Sequence, residues 1–151
     1  MAMLKDIGAW LLALFAAVAV SAVLGSIVQT QFNLARLTAL GAEIDFATRV
    51  ATSGHDIMSF GPIFAALLAL GFLVAFAVAA VLARVWPARR ALLYPLAGIV
   101  AVGTILFLMA LSLPVTAIAA ARGWGGIAAL LLCGAVGGFV FLGLRRGRGP
   151  A

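Results

Sequence analysis

Four long apolar segments alternate with short polar ones along this chain. They cover about residues 7–28, 60–85, 91–113 and 124–144, and the third is bounded by Pro114. A helix rises 1.5 Å per residue, so each segment is long enough to cross about 30 Å of hydrocarbon. The pattern predicts an all-α membrane protein, a four-helix transmembrane bundle that forms a single integral membrane domain over residues 1–151.

The composition supports this prediction. Of the 151 residues, 66% are hydrophobic and 9% are charged, whereas soluble domains carry about 25% charged residues. The net charge of +6 would favour nucleic acid as a partner of a soluble protein. Here the basic residues lie mostly at the ends of the apolar segments, where they meet lipid headgroups. We therefore expect membrane lipids as partners and no nucleic acid.

The distribution of lysine and arginine predicts the orientation. Four spans place both termini and the connection between the second and third spans on one side, which carries seven basic residues against three on the other. Positive residues stay inside, so we expect both termini in the cytoplasm. Trp10, Trp86 and Tyr94 would lie near that boundary. Richness in alanine, glycine and arginine favours a bacterial inner membrane.

Small residues mark the faces on which membrane helices can approach closely. The first span carries such residues at every fourth position, the last span contains a G-x-x-x-G pair, and the second repeats the device with Ala75, Ala79 and Ala83. The packing candidates in the first and last spans are Ala13, Ala17, Ser21, Gly25, Gly134 and Gly138. These faces are expected to join the chain's own helices. The alternative is that one of them serves a homo-oligomer or a larger membrane complex.

Residues 29–59 form the only long connection and hold most of the polar chemistry. Leucines at 34, 37 and 40 recur at helical spacing, which predicts a short interfacial helix that ends at Gly41. Asp45 precedes Arg49 by four residues, the favoured order for an ion pair on a second short helix. The prediction is therefore a short interfacial helix or helices between the first two spans.

The end of this connection has a structural and a functional interpretation. Ser53 can cap the second spanning helix, Asp56 can complement its dipole, and His55 would then be a solvated side chain. Alternatively, the polar residues surround an outer pocket that binds a lipid headgroup or a quinone-like ligand. The ligand candidates are Gln29, Gln31, Asn33, Arg36, Glu43, Asp45, His55 and Asp56. No spacing matches a known catalytic or metal-binding motif, so no catalytic or metal residue is assigned.

Basic residues on the predicted inner side have two interpretations as well. The candidates for a lipid headgroup are Arg84, Arg89, Arg90, Arg145 and Arg146. Their ordinary role is to orient the chain. The alternative is specific binding of an anionic lipid such as cardiolipin between the turn and the C-terminal arginines.

The spans contain no deeply placed ionisable residue, which argues against proton-coupled transport and voltage sensing. The first hypothesis is a non-catalytic subunit or scaffold that associates with itself or with a larger complex. The second is a binder of lipid or quinone, or an enzyme, with its site at residues 29–59. A channel formed by oligomers ranks third because no polar stripe lines the spans.

Overall fold

The computed structural model describes residues 2–112 and 118–146. In these residues the chain forms four α-helices: α1 (Ala2–Ala39), α2 (Phe46–Val85), α3 (Arg90–Ser112) and α4 (Trp124–Arg146). A 3₁₀ turn at Pro87–Arg89 joins α2 to α3, and another at Ala119–Arg122 precedes α4. Pro114 and Arg148 lie outside the described residues.

The four helices form one antiparallel bundle, and each is long and apolar enough to span a membrane. Both α1 and α3 pack against α2 and α4. Arg145 near the end of α4 forms a 2.7 Å ion pair with Asp6 near the start of α1, which places the two ends together. The predicted four-helix transmembrane bundle is confirmed.

Two helices are much longer than the predicted spans. At 38 and 40 residues, α1 and α2 measure about 57 and 60 Å, against about 35 Å for the 23-residue α3 and α4. The leucine segment and the segment around Arg49 are helical as predicted, but as continuations of α1 to Ala39 and of α2 from Phe46 rather than as separate interfacial helices. Neither proline nor glycine interrupts residues 26–39 of α1, and α2 stays helical through Gly54, Gly61 and Pro62.

The turn between α1 and α2 spans residues 40–45. Gly41 ends α1 as predicted, with a φ of 95°, a left-handed conformation that glycine adopts without a steric penalty. Asp45 is the N-cap of α2 because its carboxylate accepts a 3.0 Å hydrogen bond from the amide of Thr48. The predictions that Ser53 caps α2 and that Asp56 lies in its first turn are therefore wrong. Pro62, near the start of the predicted second span, lies inside the helix.

An aromatic cluster fills the bundle near the chain termini. Phe76 lies between Phe72 and Phe141, and the ring of Tyr94 packs 5.2 Å from that of Phe141. The ring of Trp10 packs edge-on against that of Phe141, at 5.6 Å between centres. Tyr94 is buried, so it belongs to the core and not to the interfacial ring that the sequence predicted.

The small-residue faces of α1 and α4 lie inside the bundle. Ala13, Ala17 and Ser21 are at most 1% exposed, and a side chain at Gly25 would collide with the ring of Phe64 in α2. The hydroxyl of Ser21 donates a 3.0 Å hydrogen bond to the carbonyl of Cys133 in α4. These contacts favour the expectation that this face joins the chain's own helices.

Glycines bring α3 and α4 into backbone contact. A Cβ atom at Gly134 would overlap the carbonyl group of Gly98, and one at Gly138 would overlap the carbonyl of Tyr94 and the Cα of Pro95. The G-x-x-x-G pair therefore faces α3. Its use by an external partner would require the bundle to open.

Candidate functional site

The region with the most polar chemistry is a helical hairpin made of the end of α1, the turn and the start of α2. We call residues 29–59 the hairpin. Its arms measure about 16 Å on α1 and about 21 Å on α2, at 1.5 Å per residue. Because α3 and α4 are shorter, these arms extend the bundle beyond the length that a membrane requires.

A buried threonine joins the two arms at the base of the hairpin. Thr30 is 0% exposed, and its hydroxyl donates to a carboxylate oxygen of Asp56 at 2.7 Å. The carbonyl of Ser26 lies 2.9 Å from the same hydroxyl, which has a single proton to share. Since Asp56 is the eleventh residue of α2, its partner is this threonine across the hairpin and not the end of its own helix.

Farther from the base, a second polar group connects the arms. Arg49 of α2 donates to the side-chain oxygen of Gln31 at 3.2 Å and to the hydroxyl of Thr38 at 3.4 Å. The amide nitrogen of Gln31 donates to Ser53 at 3.1 Å, and Ser53 donates to the backbone of Arg49. The arms are thus held by directed hydrogen bonds, which specify their register more strictly than apolar contacts do. The predicted pairing of the Asp45 and Arg49 side chains is not observed, because Arg49 is turned toward α1.

The base of the hairpin is also tied to the segment that precedes α4. The side-chain oxygen of Gln29 accepts a 2.9 Å hydrogen bond from the amide of Ala120. The guanidinium of Arg36 lies beside Gly123, and the ring of Phe32 lies beside Gly125. The side chain of Gln29 therefore satisfies a backbone amide of the 3₁₀ turn and is used within the fold.

The remaining ligand candidates are spread around the outside of the hairpin. Asn33, Glu43 and His55 are exposed. Asp45 is committed to capping α2, and hydrogen bonds from the side chain and the backbone of Thr48 hold the pKa of its carboxyl below the ordinary value of 3.8. Within residues 2–112 and 118–146, no three histidine, cysteine, aspartate or glutamate side chains are grouped as metal ligands.

The structure therefore divides the eight candidates among three places. Asp56 and Gln31 lie between the arms, Gln29 and Arg36 face the 3₁₀ turn, and the other four are exposed or at the turn. The sequence analysis did not identify Thr30 as a partner of Asp56. Their equal spacing from the turn could have suggested this pairing. Thr30 and Asp56 are each thirteen residues from position 43, the middle of the turn between antiparallel helices. An outer ligand pocket stays a prediction.

Large apolar side chains are exposed on the hairpin. Leu40, Phe46 and Met58 are 84%, 81% and 78% exposed, and Val50 is 56% exposed. Phe46, Val50 and Met58 recur at multiples of four residues, so they form a stripe along one side of α2. Exposed apolar patches mark surfaces that bind another protein or a membrane.

A second candidate surface lies along the side of the bundle formed by α2 and α3. An apolar groove of about 920 Å³ runs between α2 and α3. Small residues create it on both sides. The groove lining includes Gly71, Ala75 and Ala79 of α2 and Ala97, Val100 and Ala101 of α3.

The basic residues near this groove have different environments. Arg84 and Arg89 are exposed, whereas Arg90 is half-buried with its guanidinium carbon 5.9 Å from the centre of the Tyr94 ring. Arg145 is engaged with Asp6, and Arg146 is the last residue of α4. Arg90 precedes Leu93, the first groove residue on α3, by three residues.

Comparison with models of protein families, with curated proteins and with solved structures finds no match to this chain.

Proposed function

We propose that this chain is a non-catalytic membrane subunit or scaffold that associates with itself or with a larger membrane complex through its hairpin. The observation that carries the proposal is the exposure of Leu40, Phe46 and Met58, each close to four-fifths exposed. Leaving such side chains in water costs about 1.5 to 3 kcal/mol each relative to burial. A protein partner that covers them would recover this free energy.

The polar contacts between the arms support the same proposal. The bonds from Thr30 to Asp56 and from Arg49 to Gln31 and Thr38 hold the hairpin in one shape before any partner binds. A preformed surface loses less conformational entropy on association than a flexible loop does. The small-residue faces of α1 and α4 are occupied within the bundle, so neither is available to a partner.

Native mass spectrometry of the gently extracted protein tests this function. We expect the parent to retain a second copy or another membrane protein, and the triple variant Phe46→Ser, Val50→Ser, Met58→Ser to lose it. At about 1.5 kcal/mol or more for each of the three side chains, the lost burial weakens the dissociation constant more than about a thousandfold. The control is Thr52→Ala with Ser59→Ala, two residues that lie seven apart on a different side of the same helix and donate only to their own backbone. A parent without any protein partner, or a triple variant that keeps it, contradicts the proposal.

The proposed location is a bacterial inner membrane with both termini in the cytoplasm and the hairpin outside. The excess of basic residues at the end that holds the termini supports this orientation. We expect Ala47→Cys, at the exposed start of α2, to react with a membrane-impermeant maleimide in intact cells. Ala88→Cys, exposed in the turn between α2 and α3, should react only after lysis. The reverse pattern would invert the orientation.

A further inference from the structure

We propose that Arg90 and the groove between α2 and α3 bind one anionic phospholipid, with the phosphate on the guanidinium and an acyl chain along the groove. This proposal is independent of the hairpin and of its partner. It rests on an unsatisfied donor, on the register of α3, on the extent of the groove and on local charge.

The unsatisfied donor is the Nε–H of Arg90. In the part of the chain that the structure describes, it is the buried side-chain nitrogen or oxygen without a hydrogen-bond partner. The guanidinium is held over the ring of Tyr94, which is itself packed in the aromatic cluster. A buried donor without an acceptor is costly. A phosphate supplies several acceptor oxygens, and arginine can bind them through two parallel N–H groups.

The register of α3 places Arg90 at the end of the groove. Leu93 and Ala97 line the groove, and they follow Arg90 by three and seven residues, the spacing of one helical face. The side chain of Arg84 does not lie on the groove face of α2. It follows Leu82, the last groove residue on α2, by two residues, and side chains two apart on a helix point about 200° apart.

The groove is long enough for an acyl chain. On α3 its lining extends from Leu93 to Ser112, nineteen residues or about 28 Å, which is nearly the thickness of the hydrocarbon. Thr104 contributes a hydroxyl, but this group donates to the carbonyl of Val100 at 2.8 Å. A chain lying in the groove therefore meets an apolar surface.

Charge favours an anionic headgroup over a zwitterionic one. Three arginines and no carboxylate occur between residues 82 and 112, and anionic phospholipids gather at basic clusters beside membrane helices. A transmembrane helix from another protein would fill the apolar groove equally well. Such a helix would leave the Nε–H of Arg90 without an acceptor unless it carried a polar side chain at that point. A phospholipid both fills the groove and supplies the acceptor.

Native mass spectrometry of protein taken from nanodiscs with equal phosphatidylglycerol and phosphatidylcholine tests the proposal. We expect the parent to retain one phosphatidylglycerol, and Arg90→Gln to reduce that occupancy at least about tenfold, the effect of losing hydrogen bonds to a charged group. Arg84→Gln removes the same charge from the same end of the bundle and should keep the lipid. Equal occupancy in the parent and Arg90→Gln, or equal losses in both variants, overturns the site.

A second variant tests the groove without changing Arg90, and so covers the case in which Arg90→Gln does not fold. Val100 is 62% exposed in the groove, and Leu132 is 64% exposed on α4. We expect Val100→Trp to expel the lipid and Leu132→Trp to retain it. Lipid retention by Val100→Trp, equal retention of phosphatidylcholine by the parent, or a second protein chain in place of the lipid overturns the proposal.

Discussion

Gly138→Ala is expected to destabilise the bundle, whereas Gly143→Ala in the same helix is expected to leave it unchanged or to stabilise it. At Gly138 the new methyl group would overlap the backbone of Tyr94 and Pro95, while at Gly143 nothing lies within 4 Å. Overpacking of this kind costs about 1 to 3 kcal/mol. In an open helical position, alanine is favoured over glycine by up to about 1 kcal/mol.

The measurement is the free energy of unfolding in mixed micelles, followed by the loss of helical circular dichroism. Leucine enlarges the contrast, because Gly138→Leu should yield no folded bundle and Gly143→Leu should fold. Similar stabilities for the two alanine variants would show that α3 and α4 do not meet at Gly138. A change in oligomer size without a change in the free energy of unfolding would indicate that this face of α4 binds an external partner.

The number and positions of the spans follow from the sequence because lipid imposes a simple requirement. A helix must satisfy its own backbone groups and present apolar side chains over about 20 residues. The four apolar segments meet that requirement, and the structure contains a membrane-capable helix at each. The G-x-x-x-G pair likewise predicted a close helix contact, although only the structure identifies α3 as its neighbour.

The hairpin was less accessible to prediction because polarity along the chain marks the end of the membrane and not the end of a helix. Four of the five residues from Gln29 to Asn33 are polar, yet none of them interrupts a helix, and α1 continues to Ala39. For the same reason the sequence predicts Ser53 as the cap of α2, whereas the cap in the structure is Asp45. Once α1 and α2 are continuous, polar residues on either side of the turn face each other across the hairpin.

The pairing of arms also changes the interpretation of the outer candidates. As a loop, residues 29–59 would be free to gather their polar side chains around a ligand. As a hairpin, Gln31, Arg49 and Asp56 are used to hold its arms together, and the large exposed groups are apolar. This shift favours a docking element over a pocket.

Thr30→Val is expected to have the largest effect among substitutions in the hairpin. Valine has nearly the shape of threonine but no hydroxyl, so the half-buried carboxylate of Asp56 would lose the donor that lies 2.7 Å away. Leaving such a group unsatisfied costs about 1 to 3 kcal/mol. Thr104→Val is the matched control: Thr104 is exposed and donates only to its own helix, at Val100, so its loss should cost less than about 0.5 kcal/mol.

A double-mutant cycle separates this bond from the shape of the side chain. In an Asp56→Ala background no carboxylate remains to lose its hydrogen-bond donor. Thr30→Val should therefore lower the free energy of unfolding by at least about 1 kcal/mol less than it does in the parent. If the two changes are additive, the hydrogen bond does not hold the arms. If they are coupled, Thr30→Val should also weaken partner retention, because the docking stripe on Phe46, Val50 and Met58 depends on the position of an arm that this bond fixes.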